Sequence, residues 1–73
     1  MNKVIYTKDH KFLVKKLKSA RLETGLSQKM VSEKLRKTQS YISKIESGQR
    51  RIDIIQLKEL ARVYKEDINF FLK

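Results

Sequence analysis

The sequence predicts an all-α domain, and three observations support this. The 73-residue chain has no proline and only two glycines, Gly25 and Gly48, so few residues interrupt a helix. Apolar residues recur at i, i+3 and i+4 along most of the chain, which is the spacing of one helix face. Residues that commonly cap helices precede these runs. The pattern predicts five helices in one domain spanning residues 1–73.

The first predicted helix begins after Thr7, whose hydroxyl can cap it, and ends at Gly25. Residues 1–6 are expected to form an N-terminal arm, and residues 7–72 a helical bundle. Four residues are expected to form the inward stripe of the first helix: Leu13, Leu17, Ala20 and Arg21.

Two short helices are predicted to follow. Ser27 can cap a second helix that runs to about Leu35, and Thr38 can cap a third that runs to about Glu46. The third helix is expected to stop at Gly48. The inward residues of the second helix are expected to be Met30, Val31 and Leu35.

The last two predicted helices also have sequence signals at their starts. Asp53, with Gln56 three residues later, approximates a capping box and predicts the start of a fourth helix. Asp67 is expected to cap a short fifth helix over residues 68–72. The fourth helix is expected to turn five residues toward the core: Ile54, Leu57, Leu60, Ala61 and Tyr64.

Composition excludes several classes of protein. The chain has no cysteine and one histidine, so we expect no disulfide, metal site or other cofactor. No apolar run approaches the roughly 20 residues of a membrane span, and the first ten residues lack a signal peptide's apolar stretch. We therefore expect a cytoplasmic protein. Two isolated glycines cannot form a phosphate loop, and His10 has no evident catalytic partners, so we expect no enzyme.

Positive charge is unevenly distributed along the chain. The formal net charge is +10, with +5 in residues 1–24, +5 in residues 25–51 and none in residues 52–73. This asymmetry favours one surface that faces a polyanion and a neutral opposite side. A lysine face that serves only solubility would give the same charge.

The predicted third helix has two different sides, at about 100° per residue. Ile42, Ile45 and Glu46 cluster on one side. The opposite side and its flanks offer mostly polar groups: Lys37, Ser40, Tyr41, Ser43, Lys44 and Ser47. Such a face can approach phosphates and reach base edges of DNA, although an ordinary solvated helix face has the same pattern.

The run L-S-Q-x(9)-T-Q-S-Y-I-S-K-I-E-S-G, residues 26–48, closely resembles the helix-turn-helix of Cro and lambda-repressor type, also called XRE-like. The similarity spans roughly residues 11–72. It implies a compact lambda-repressor-like bundle whose second and third helices read duplex DNA in the major groove. It also implies a sequence-specific transcriptional regulator. We expect a repressor that binds a palindromic operator as a homodimer.

The resemblance and the polar side of the third helix together suggest roles for individual residues. Base edges are assigned to Gln39, Ser40, Tyr41, Ser43 and Lys44. Phosphates are assigned to Gln28, Lys37, Thr38, Ser47, Gln49, Arg50 and Arg51. Gln28 is further expected to brace Gln39. Capping alone is the alternative for Gln28 and Thr38, and a solvated loop charge is the alternative for the two arginines.

Arg21 and Glu46 are expected to form a structural ion pair between the first and third helices, as the family often has. A direct contact of Arg21 with DNA is the alternative.

Two departures from the family pattern affect the packing of the turn. Ser32 replaces the usual alanine, and its hydroxyl can bond to a backbone carbonyl. Arg36-Lys37 replaces Gly-Val, so a residue with a side chain must adopt the left-handed conformation at modest strain.

Two questions about partners stay open at the level of sequence. The dimer contact could lie at Phe70-Phe71-Leu72 or at Val4-Ile5-Tyr6, although core packing of at least one phenylalanine ring is the stronger expectation. The alternative function is an antitoxin-type protein that binds a toxin and represses its own operon. A neighbouring small toxin gene would favour that function. A membrane-surface role is disfavoured because the apolar stripe of the first helix is needed for the core.

Overall fold

The computed structural model describes residues 8–72, which contain five α-helices and no strand. The helices are α1 (Lys8–Thr24), α2 (Gln28–Leu35), α3 (Gln39–Glu46), α4 (Ile54–Tyr64) and α5 (Asn69–Leu72). The predicted all-α fold is therefore confirmed. The Thr7 cap, the arm of residues 1–6 and its run Val4-Ile5-Tyr6 lie outside the described residues.

Side-chain caps explain where three of the helices begin. The hydroxyl of Ser27 accepts a hydrogen bond from Met30 N at 3.1 Å, and that of Thr38 accepts one from Tyr41 N at 3.1 Å. Asp53 caps α4 in a complete capping box, in which Gln56 returns the bond to Asp53 N at 3.0 Å. Each cap satisfies an N–H group that has no partner within its helix, a contribution of about 1 kcal/mol.

Asp67 fixes the start of α5 in a slightly different way from that predicted. Its carboxylate accepts a hydrogen bond from Asn69 N at 2.8 Å, two residues along the chain. This is the bonding of an Asx turn, so the helix starts at Asn69 and not at Ile68.

Left-handed residues end α1, α2 and α4. Gly25 (φ 75°) follows α1 and Gly48 (φ 81°) follows α3 by two residues, as expected. Arg36, with φ 57°, follows α2 in the left-handed conformation that the missing glycine predicts. Lys65, also at φ 57°, follows α4, and no sequence signal indicated it. A side chain in this conformation costs roughly 1–2 kcal/mol relative to the right-handed region.

The core lies where α1 packs on α3, α4 and α5, and α2 packs on α3 and α4. Two predicted core residues are wrong. Met30 is 45% exposed, because α2 turns Val31 and Ser32 toward the core and leaves Met30 at the solvent-facing edge of that buried face. Ile54 is 53% exposed, because it is the first residue of α4 and its side chain extends past the end of the buried face, which begins one turn later at Leu57. Ten apolar residues are buried: Leu17, Ala20, Val31, Ile42, Ile45, Leu57, Leu60, Ala61, Tyr64 and Phe71.

Ser32 occupies the closely packed position predicted for it. It is 4% exposed, and its hydroxyl donates a hydrogen bond to Lys29 O at 2.7 Å, so the buried polar group is satisfied. Among residues 8–72, no helix is long and apolar enough to span a bilayer.

Candidate nucleic-acid interface

A short turn fixes α3 against α2. In that turn Arg36 N donates to Glu33 O at 3.2 Å, and Lys37 N donates to Ser32 O at 2.8 Å. These bonds satisfy the carbonyls at the end of α2 and leave Thr38 free to cap α3. The angle between the two helices is thus set by backbone bonds and one side-chain cap.

The two sides of α3 differ as the sequence predicts. Ile42 and Ile45 are 1% and 2% exposed, and they anchor the helix in the core. The polar residues of the other side are exposed: Gln39, Ser40, Ser43, Lys44 and Ser47. Glu46 is the only acidic residue of α3, and its side chain is only 5% exposed. The exposed side of α3 therefore presents hydroxyl, amide and ammonium groups to solvent.

Arg21 and Glu46 join α1 to α3 through two hydrogen bonds. Arg21 Nε lies 2.6 Å from Glu46 Oε2, and Arg21 Nη2 lies 3.0 Å from Oε1. A third bond runs from Nη1 to Leu26 O at 2.9 Å. The bond to Glu46 raises the pKa of Arg21, against the opposing effect of burial. The guanidinium is thus committed to Glu46 and to the α1–α2 loop, and its side chain is 10% exposed.

Gln28 is also bound to Glu46. Its Nε2 donates to Glu46 Oε1 at 3.0 Å. The structure has no hydrogen bond between Gln28 and Gln39, so it does not reproduce the predicted brace, and an ionised carboxylate is the better acceptor for the amide. A second N–H of the same amide remains available to a phosphate oxygen.

Tyr41 differs from the other residues assigned to base reading, since it is half-buried on the flank of α3. Lys37 Nζ lies 5.4 Å from the centre of its ring, and Arg50 Cζ lies 4.8 Å from it. Burial raises the pKa of Tyr41, and the positive charge of Arg50 opposes that shift. The phenol is therefore neutral at neutral pH, with a cation from each end of α3 against its ring.

The other residues assigned to phosphates lie around α3 on exposed backbone. Thr38 accepts a hydrogen bond in its cap, so its own hydroxyl proton remains free to donate to a phosphate oxygen. Ser47 instead donates its proton to Lys44 O at 3.2 Å. Gln49 and Arg51 are exposed in the loop between α3 and α4.

A row of lysines on α1 adds positive charge that our residue assignments did not include. Lys11, Lys15 and Lys18 line a cleft of about 420 Å³ together with Glu46, Ser47 and Gly48, at the end of α3. Their spacing of four and then three residues places them on one face of the helix. This spacing is visible in the sequence and could have indicated a basic face on α1.

Comparison with known families gives one match within these elements. A family model described as helix-turn-helix matches residues 17–71, which include α2, the turn and α3. The comparison with curated proteins gives no match.

Proposed function

The chain belongs to the XRE or lambda-repressor-like helix-turn-helix family of DNA-binding regulators, and on that premise we propose that it is a sequence-specific repressor acting as a homodimer on a palindromic operator. One observation carries the proposal: α3 is anchored by Ile42 and Ile45 and turns an acid-free polar side to solvent. In the proposal this side enters the major groove.

Base recognition falls to the exposed residues of α3. Gln39 and Ser40 lie in its first turn, where a recognition helix approaches base edges most closely. The amide of Gln39 can bond adenine at two atoms, and Lys44, on the exposed side further along, can donate to guanine. Ser43 can donate to or accept from either kind of base pair.

Phosphate binding falls to the residues that flank α3. Before the helix stand the second amide N–H of Gln28 and the free hydroxyl proton of Thr38. After it come Gln49, Arg50 and Arg51, all exposed. Lys37 and Ser47 complete the proposed set. Because α3 reads bases and these residues hold the backbone, changes in the two groups should have different effects.

A homodimer would place two copies of α3 about 34 Å apart, one helical turn of DNA. Of the candidate contact Phe70-Phe71-Leu72, Phe71 is in the core, as expected for at least one ring. Phe70 is half-buried and Leu72 is 58% exposed, so these two remain available to a second copy. The antitoxin-type function with a toxin partner stays an alternative prediction.

Selection of bound sites from a random duplex pool tests the proposal. We expect one enriched motif with two-fold symmetry, and binding that weakens with salt by about 0.9 log units in affinity per log unit of salt for each phosphate contact. A pool without enrichment, or an affinity that does not change with salt, would contradict it. An enriched motif without symmetry would contradict the homodimer alone.

Single substitutions then test the two groups of residues. On the selected site, Gln39→Ala and Lys44→Ala should relax discrimination at particular base pairs by about 1–3 kcal/mol each. Arg51→Ala should weaken binding to all sequences alike and make the salt dependence shallower. Lys58→Ala is the matched control, since Lys58 is an exposed cation on α4. Equal loss on every sequence for Gln39→Ala and Lys44→Ala would refute the placement of α3.

A further inference from the structure

We infer that Tyr41 is a positioning residue and not a base reader: its ring holds two cations, Lys37 and Arg50, ready for the DNA backbone. This inference rests on the proposed DNA-binding function and changes the role that the sequence suggested for Tyr41. The three residues come from the turn before α3, from α3 itself and from the loop after it.

The geometry joins the three side chains. The centre of the Tyr41 ring lies 5.4 Å from Lys37 Nζ and 4.8 Å from Arg50 Cζ, both within the range of about 6 Å for a cation–π contact. Tyr41 follows Ser40, which is exposed, and precedes Ile42, which is buried. Its half-buried ring is therefore fixed by the core while one part of it remains accessible to the two cations.

The Tyr41 side chain is the contact that orients these cations: both lie against its ring, and the guanidinium of Arg50 also lies near its hydroxyl. Neither Lys37 nor Arg50 forms an ion pair with an acidic residue within residues 8–72. A long cationic side chain without a partner samples many rotamers, and that freedom is lost when it binds a phosphate. Contact with the ring restricts both side chains before DNA arrives, so less freedom is lost on binding.

The charges also fit this role. Lys37 and Arg50 carry like charges, so they do not attract each other, and the electron-rich ring face is what draws both to one place. The phenol is neutral at neutral pH, as tyrosine ordinarily is, and burial raises its pKa further. A half-buried ring in contact with two cations is also less accessible to a base edge than Gln39 or Lys44 on the exposed side.

Two substitutions at Tyr41 separate the ring from the hydroxyl. Tyr41→Phe keeps the ring, and its affinity for the selected operator should stay within about twofold of the wild type. Tyr41→Leu removes the ring, and its affinity should fall by roughly 5–30-fold, the size expected for two partly exposed cation–π contacts. The fall should be equal on the operator, on single-base variants and on unrelated duplex DNA, with a shallower salt dependence.

A double-mutant cycle distinguishes positioning from a general structural role. Arg50→Ala should weaken binding by a larger factor in the wild type than in Tyr41→Leu, and Lys37→Ala should behave in the same way. Lys58→Ala, far from the ring in sequence and exposed on α4, should have the same small effect in both backgrounds. Binding is measured below the unfolding midpoint of each variant, and Tyr41→Met replaces Tyr41→Leu if the latter does not fold.

Three results would overturn the inference. Additive effects of Tyr41→Leu and Arg50→Ala would show that the ring does not act through the cation. Altered discrimination at particular base pairs would return Tyr41 to base reading. Equal loss in Tyr41→Phe and Tyr41→Leu would assign the effect to the hydroxyl. In each case the wild-type protein still binds its operator, whereas failure of the proposed function would remove specific binding by the wild type itself.

Discussion

Arg21→Ala should destabilise the fold by about 3–5 kcal/mol while leaving base preference unchanged. The substitution removes both hydrogen bonds to Glu46 and the bond to Leu26 O. It also leaves the Glu46 carboxylate, 5% exposed, with the amide of Gln28 as its remaining partner. Removing one member of a buried ion pair costs this much because the other charge stays buried without compensation.

That loss is large for a chain of 73 residues. A domain of this size typically has an unfolding free energy of about 4–11 kcal/mol. With a urea m-value of about 1 kcal/mol/M, the unfolding midpoint should fall by roughly 3–5 M. The thermal midpoint should fall by at least about 12 °C, at roughly 4–8 °C per kcal/mol for small domains.

Urea unfolding followed by far-UV circular dichroism measures the effect, with Arg62→Ala as the control. Arg62 is an exposed arginine on α4, so its substitution should change the free energy of unfolding by less than about 0.5 kcal/mol. Binding to the selected operator is measured in parallel, below the midpoint of the variant. Unchanged unfolding together with lost binding would refute our reasoning and show that Arg21 contacts DNA.

The double variant Arg21→Met, Glu46→Met tests the cause of the loss. If the cost comes from an uncompensated buried carboxylate, removing both charges should recover more than about 1 kcal/mol relative to Arg21→Ala. Full recovery is not expected, because Gln28 Nε2 and Leu26 O would still lose their partners. A double variant no more stable than Arg21→Ala would show that the loss does not come from an uncompensated buried carboxylate.

Three further predictions concern the fold. Burial and the charge of Glu46 raise the pKa of Tyr64 in the folded protein. Because the unfolded chain ionises this tyrosine above about pH 10 and the folded one does not, the wild type should lose stability relative to Tyr64→Phe by up to about 1.4 kcal/mol per pH unit there. Parallel pH profiles of unfolding for the two proteins would contradict this. Arg36→Gly and Lys65→Gly should each stabilise the fold by about 1 kcal/mol in urea unfolding, and an unchanged midpoint in both would show that the left-handed conformation carries no strain. Ile45→Ala should cost about 2–5 kcal/mol in the same assay, and a cost below 1 kcal/mol would show that the α3 anchor is loosely packed.

The helix starts could be predicted from sequence because local chemistry determines them. Ser27, Thr38 and Asp53 each bond a backbone N–H three residues ahead, and that bond depends on residue type and spacing alone. The same holds for the left-handed residue after α2, since the chain must turn there whether or not a glycine is present. These features require no knowledge of what packs against them.

Predictions failed where the answer depends on a neighbouring element. Met30 and Ile54 fit a helical apolar stripe by spacing, but the width of the buried stripe is set by the helices packed on it. Gln28 was expected to bond Gln39, and the actual acceptor, Glu46, lies 18 residues away in sequence. The contacts of Lys37 and Arg50 with Tyr41 likewise depend on the path of two loops, which propensity does not specify.

Glu46 connects the stability of the fold to the charge of its DNA-facing side. An acid in the last turn of a helix is unfavourable, because the C-terminal end of the helix already carries partial negative charge. An exposed carboxylate there would also repel the phosphates that flank the proposed recognition side of α3. Arg21 and Gln28 draw that carboxylate into the junction of α1, α2 and α3, where it supports the packing of three helices. The same contacts therefore hold α3 in place and remove its one negative charge from the surface that is proposed to meet DNA.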